Sequence, residues 1–198
     1  VEGADGFVVS LLWSYLTERP VLLATRMNGE MLPPDHGAPV RLLVPGAVGA
    51  RSVKWVVRAE TIWGSSSSPW QRRYYRGGNK SNNGSSISAD ESPILEWPVQ
   101  GMITSVNHGD TVELPASATS FPISGVAYCG GGRAIRSVVV SADGCSWHEA
   151  RLQPPPNQPD GQRYAWTTWN VDVPIPARSS IDASVLQFRC RATDTSGA

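Results

Sequence analysis

The chain has 198 residues, and its 17 basic side chains balance 17 acidic ones, so it carries no net field that would draw nucleic acid or an anionic membrane to it. No apolar run approaches the roughly 20 residues that cross a bilayer; the longest, Phe7 to Leu16, is interrupted by Ser10 and Ser14. The 19 glycines, 16 prolines and 8 tryptophans point to a turn-rich, β-dominated chain, and 3 cysteines with no Cys-x-x-Cys pair argue against a disulfide framework and a structural zinc site.

Val1 follows no initiator methionine or signal-like leader, and Ala198 lies just beyond a strand pattern, so the chain reads as an internal piece of a longer polypeptide. The pattern predicts a helix over Val8–Leu16, with Pro20 as its stop. Val21–Ala24 is short and apolar. Asn28-Gly29 through Pro33-Pro34-Asp35-His36-Gly37 is turn-rich, an extended proline pair ending in a sharp reversal. Val40–Val44 and Val53–Ala59 read as strands separated by Pro45-Gly46. From Gly77 to Pro93 the composition collapses to Gly, Asn and Ser, too little apolar surface to offset ordering entropy, so residues 77–93 are expected to form a loop or linker. A domain boundary is placed at its end, dividing the chain into 1–94 and 95–198.

Beyond the boundary, seven short apolar segments follow, near 101–106, 110–114, 121–128, 134–141, 145–152, 164–173 and 184–193. Leu186, Phe188, Cys190 and Ala192 alternate strictly with polar neighbours, and Trp169, Val171 and Val173 repeat the device. Asp143-Gly144 is a hairpin signal. Seven strands without intervening helices predict an immunoglobulin-type β-sandwich. Cys129, Trp147 and Cys190 follow the order of antibody domains, but Phe188 stands where the tyrosine corner would be, so a Cys129–Cys190 bridge is not the expected arrangement. Cys129-Gly130-Gly131-Gly132-Arg133 is no phosphate loop, because it lacks the Lys-Ser/Thr ending and a strand pattern follows it; a bend or bulge is expected.

The charge balance fails locally. Arg41, Arg51, Lys54, Arg58, Arg72, Arg73 and Arg76 are met by one acid, Glu60. Guanidinium-rich surface suits bidentate contact with phosphate, sulfate or carboxylate, and an anion site is favoured over a merely solvated face. Trp55, Trp63, Trp70, Tyr74 and Tyr75 are interleaved with these charges. Stacking on single-stranded nucleic acid is a distant alternative without a supporting module, and core packing is the expectation for most of them. His36 sits in the rigid turn that leads into the basic segment. No Ser-His-Asp or Cys-His set and no carboxylate pair presents itself.

Asn28 to Gly37, Pro39-Val40-Arg41, Val44-Pro45-Gly46 and Gly49 to Trp55 together resemble the molybdenum-cofactor domain of the sulfite oxidase family. Trp70-Gln71-Arg72-Arg73 followed by Tyr75 resembles the segment carrying that family's active-site tyrosine. Leu95 to Gln100, Gly125 to Arg133, and Ser141 to Gly144 with Trp147 resemble its immunoglobulin-like dimerisation domain. The resemblance implies an α+β cofactor-domain fragment followed by an all-β immunoglobulin-like sandwich, truncated at its C-terminus. It implies a molybdopterin cofactor held by Asp5, His36, Arg41 and the Ser52-Val53-Lys54 segment, with Tyr75 catalytic.

The implied reaction is oxygen-atom transfer from the molybdenum cofactor to sulfite or a similar oxyanion, in a homodimer formed through the C-terminal domain. A haem or other electron acceptor is expected outside this chain, with no nucleic-acid partner and no membrane span. The family's metal-ligating cysteine lies upstream of the Asp5 position, so no metal ligand is expected here and the chain alone is expected to be inactive. Related nitrate reductase is the neighbouring alternative. A non-catalytic dimerisation module is the alternative of another class. The compartment is left open; the family suggests the mitochondrial intermembrane space or the peroxisome.

Overall fold

The β-branched pair Val8–Val9 and Pro20 bracket what can be helical at the start of the chain. In the computed structural model Glu2 bridges Val8 and the Val9 N–H donates to the Val1 carbonyl, so this apolar run is extended. Only Trp13–Glu18 (α1) coils, ending before Pro20. The helix predicted over Val8–Leu16 is therefore shorter and shifted toward the C-terminus, because backbone pairing took the valines first. The structure describes residues 1–77, 93–115, 117–175 and 185–198, in two units, Val1–Trp97 and Pro98–Ala198. Most of the loop expected at 77–93 lies outside the described residues.

The first unit is built from short antiparallel pairs. Glu2–Gly3 (β1) pairs with Val56–Arg58 (β6), Leu22–Ala24 (β2) with Arg41–Leu43 (β5), and Arg26–Met27 (β3) with Glu30–Met31 (β4). The expected strand from Val53 to Ala59 begins only at Val56, since Trp55 takes a left-handed backbone with φ 52°. Val9, Tyr15, Leu42, Val44, Ala47 and Val53 form the core, with Leu95 packed against it. Glu96 accepts hydrogen bonds from the Tyr15 hydroxyl and the Arg19 guanidinium, fastening the segment ahead of the second unit to α1.

Among its described residues the second unit has seven strands in two sheets. Gln100–Ile103 (β7), Ser120–Tyr128 (β8), Ile135–Ser141 (β9), His148–Glu149 (β10), Arg151–Gln153 (β11), Thr167–Pro174 (β12) and Arg189–Asp194 (β13) follow in order. One sheet runs β11-β12-β8-β7 and the other β10-β9-β13, all antiparallel, in the immunoglobulin-like manner. The count matches the sequence reading, but two segments differ. Residues 110–114 form no strand and leave Val112 and Leu114 exposed, whereas 145–152 divides around buried Ala150 into β10 and β11, which join opposite sheets.

Ile123, Ala127, Val138, Val140, Trp169 and Val173 fill the space between the sheets. The expected alternation holds, with Leu186, Phe188, Cys190 and Ala192 turned inward relative to their exposed neighbours. All three cysteines are free thiols. Gly131 and Gly132 have φ of 78° and 74°, and the glycine run is a bend with no helix after it. Among the described residues no helix is long and apolar enough to cross a membrane.

Gly125 marks the closest approach in this core. A Cβ there would lie 2.0 Å from the Met102 carbonyl oxygen and 2.4 Å from the Trp169 ring, against backbone that cannot yield cheaply. Gly125→Ala is expected to lower stability by about 2 kcal/mol, read as an earlier urea midpoint with an unchanged slope. An unshifted midpoint would mean that β7 and Trp169 have slack the packing does not reveal.

Candidate functional site

Two prolines and a glycine shape the first wall of the site. Pro33 is extended, Pro34–His36 makes one 3-10 turn, and Gly37 closes it at φ 104° with its N–H on the Pro34 carbonyl. Each carbonyl of this turn is then claimed by a residue from the basic segment. Trp55 Nε1 donates to Pro34 O at 2.9 Å, Lys54 Nζ to Asp35 O at 2.6 Å, Arg41 Nη1 to His36 O at 3.4 Å, and the Trp55 N–H to Gly37 O at 3.2 Å. A side chain at Gly37 would meet Lys54 Cβ at 2.9 Å, so the turn can seat against Lys54 only as glycine.

The opposite wall comes from the first turn of the chain. Gly3 N–H donates to Phe7 O, Phe7 N–H to Asp5 Oδ1 at 3.0 Å, and Ala4 N–H to Trp55 O at 2.9 Å. A Cβ on Gly3 would sit 2.6 Å from the Lys54 carbonyl oxygen. Asp5, His36, Arg41 and Lys54 are thus gathered around the Lys54-Trp55 peptide, although they are far apart in sequence. The left-handed φ at Trp55, unusual for a bulky residue, is what lets this strip touch both turns.

Several polar groups in this cradle have no partner among the described residues. Arg41 Nε is buried and meets no acceptor among the described residues. The N–H groups of Val53 and Lys54 likewise donate to none of them. Ser52 and Val53 offer only backbone: the Ser52 hydroxyl accepts the Val44 N–H at 3.1 Å, and the Val53 side chain is buried in the core. Buried donors without acceptors are costly, and a multiply polar anionic ligand is the kind of group that satisfies them. The residues present fit an anionic, multiply polar group such as the molybdopterin that the resemblance implies.

Tyr75 closes a single π-type turn, Trp70–Tyr74, with its N–H on Trp70 O at 3.2 Å; such turns recur at functional sites. Phe7, two residues beyond Asp5, meets the Tyr75 ring edge-on at 6.2 Å and Trp70 at 5.5 Å, linking this turn to the Asp5 wall. The Tyr75 hydroxyl has no hydrogen-bond partner among the described residues.

Behind Tyr75 lies Arg51, 0% exposed. Its Nη1 donates to Gln71 Oε1 at 2.5 Å, its Nε and Nη2 to Ile94 O at 3.0 and 2.9 Å, and its Nη2 to Tyr75 O at 3.3 Å. Burial pushes its pKa down, and Tyr15 and Tyr75 pull it back up.

The seven basic residues are therefore not one face. Arg51 points inward, Arg58 pairs with Glu60, Arg72 and Arg73 are exposed, Arg76 is half-buried and bridges Pro93, and among the described residues Arg41 and Lys54 are the two that meet at the His36 turn. The aromatics are not core either: Trp63, Trp70 and Tyr74 are exposed. Phe7, Arg51 and Gln71 escaped the sequence reading. Arg51 was visible as one charge of a basic run and as part of the Gly49 to Trp55 motif, with no role of its own, and a buried arginine carries no local signature.

Family models match both units. The oxidoreductase molybdopterin binding domain matches residues 1–70, and the Mo-co oxidoreductase dimerisation domain matches residues 91–198, more than half of the chain. The chain belongs to the Mo-co oxidoreductase family. This Mo-co chain is 42% identical over 193 residues to mitochondrial sulfite oxidase of Homo sapiens, covering 96% of this chain and 34% of that protein. It is 31% identical over 220 residues to a nitrate reductase [NADPH] of Fusarium oxysporum, covering 94% of this chain and 24% of that protein. Among solved structures, the sulfane dehydrogenase SoxCD of Paracoccus pantotrophus superposes with a TM-score of 0.75 at 29% identity, covering 100% of this chain and 46% of that one. The chain spans about a third of the length of the sulfite oxidase it matches and about a quarter of the nitrate reductase.

Proposed function

We propose that this chain belongs to a sulfite-oxidising molybdoenzyme, in which sulfite gains one oxygen atom and gives up two electrons. The observation that carries the reading is the convergence of Asp5, His36, Arg41 and Lys54 around one strip, with Arg41 Nε and two backbone N–H groups lacking acceptors among the described residues. When bound, the molybdenum cofactor supplies the transferred oxygen and takes up the electrons. Arg41 and Lys54 provide counter-charge for the cofactor phosphate, the Val53 and Lys54 N–H groups donate to it, and Asp5 and His36 meet the polar edge of the pterin.

Tyr75 donates its free phenol O–H to the oxyanion, orienting it for transfer. Tyr75→Phe in the full-length, molybdenum-loaded protein is expected to lower kcat/KM for sulfite on the order of ten- to a hundredfold, the loss of one hydrogen bond to a charged group. Molybdenum content should not change. Unaltered steady-state kinetics would remove this role from Tyr75.

The 42% identity to sulfite oxidase, against 31% to nitrate reductase, favours sulfite over nitrate. Turnover of the full-length protein with each anion separates the two, and a full-length protein that retains no cofactor would leave only the dimerisation-module reading. The second unit is the surface through which we expect a homodimer, with the self-complementary interface of a two-fold axis; sedimentation of the full-length protein reads it directly. Relatives named as mitochondrial make that compartment the one to test first.

A further inference from the structure

We infer that Arg51 is a positioning residue for Tyr75: its buried guanidinium holds the Tyr75 backbone so that the phenol is presented without being tied. The inference rests on the proposed role of Tyr75 and deepens it. A tyrosine that must donate its O–H to a substrate cannot donate that proton to the fold as well, so holding it by its backbone leaves the donor available. The contacts follow that demand. The guanidinium takes the Tyr75 carbonyl directly, the Gln71 side chain four residues before it, and the Ile94 carbonyl. The Ile94 N–H in turn donates to the same Tyr75 carbonyl at 2.9 Å, so that oxygen is held from two sides.

Gln71 Oε1 also accepts the Ser10 N–H at 3.3 Å, which ties the turn to the segment running on from Phe7. No carboxylate is among the partners of Arg51 in the described residues. A wholly buried cation paired only with neutral oxygens is an expensive way to fill space. The planar fork is what the geometry uses, since three acceptors in different directions suit five fixed N–H donors and not one ammonium. The phenol is left as the unfastened end of an otherwise fastened residue.

The test compares Arg51→Lys, Tyr75→Phe and the double variant in the full-length, molybdenum-loaded protein, alongside amide hydrogen exchange of each. Arg51→Lys is expected to speed exchange within residues 70–77 while leaving the second unit unchanged, and to lower kcat/KM on the order of tenfold. Combined with Tyr75→Phe it should add little, because the phenol it positions is already gone. Should Arg51→Lys fold poorly, Gln71→Asn, which shortens the side-chain acceptor, tests the same strap.

Unchanged exchange in 70–77 would overturn the inference and leave the role of Tyr75 standing. Raised exchange with fully additive kinetic losses would also overturn it, showing that Arg51 acts on the fold and not through the phenol. Unaltered kinetics in Tyr75→Phe itself would overturn both.

Discussion

Arg41→Met combined with Lys54→Met in the full-length protein is expected to weaken retention of the molybdenum cofactor on the order of a thousandfold. Each substitution removes a charged donor from a phosphate, about 2 kcal/mol apiece, and every 1.4 kcal/mol is roughly a factor of ten. The two cations meet at one turn, through Asp35 O and His36 O, so the double variant removes both charges from one ligand and the thousandfold figure is the sum of the two losses. The double variant is therefore the informative one. Molybdenum and pterin content after exhaustive dialysis is the readout, and thermal unfolding of the cofactor-free protein is the control.

That control should shift little, because each side chain gives the fold only one hydrogen bond to a carbonyl, that of Arg41 a long one at 3.4 Å. Full retention of cofactor would move the anion site elsewhere. Loss of cofactor together with collapse of the cofactor-free fold would assign these residues to structure.

The second unit was legible because sheet packing imposes a two-residue period. Thr167–Pro174 and 185–192 alternate in burial as their side chains alternate in polarity. Where that period failed as a guide, another constraint was stronger. Val112 and Leu114 looked strand-like but found no partner strand, and Ala150 marks a change of sheet that no local pattern announces. Helix prediction at Val8 failed for a related reason: the apolar run was real, but its first residues pair with Val1 and Glu2.

The site divided along a similar line. The Pro33 to Gly37 turn was readable, since proline and glycine act locally, and the motifs around it carried the family resemblance to His36, Arg41 and Lys54. What sequence alone could not convey is that Arg51 and Arg41, ten residues apart and chemically identical, take opposite tasks. One faces into the protein and donates to Gln71, Tyr75 and Ile94, while the other has a buried Nε with no acceptor among the described residues. Burial decides between them, and it is set by contacts from Ile94 and Gln71 that are distant in the chain.

In the second unit the largest expected loss belongs to Asp194→Asn, at about 3 kcal/mol, the loss of a charge-assisted hydrogen bond at a fully buried carboxylate whose Arg133 partner is 35% exposed. Asp194 is 0% exposed at the end of β13. Its Oδ2 accepts Arg133 Nε at 2.8 Å and the Cys129 thiol at 2.9 Å, and its Oδ1 accepts the Ser196 N–H at 2.9 Å and hydroxyl at 2.6 Å. An amide supplies one acceptor oxygen, so it must turn a donor toward either Arg133 or Ser196. Burial alone would raise the Asp194 pKa, but the bonds from Cys129, Ser196 and Arg133 outweigh it and hold the carboxyl well below its ordinary range.

The sign of the pH effect follows. A carboxyl depressed in the folded state contributes its stability fully above the unfolded value near pH 4, roughly 3.9, and loses it as the pH falls further. Cys129, with burial pushing its thiol up to about 11, stays protonated throughout and adds no slope in this window. Asp143 is also depressed, by the N–H groups of Ser146 and Cys145 and the Ser141 hydroxyl, and its contribution survives in the variant. Urea unfolding at pH 7 and pH 3 should therefore show the wild type losing more stability than Asp194→Asn, the two converging in acid. A constant gap between them across that range would mean that Asp194 works by shape and not by charge.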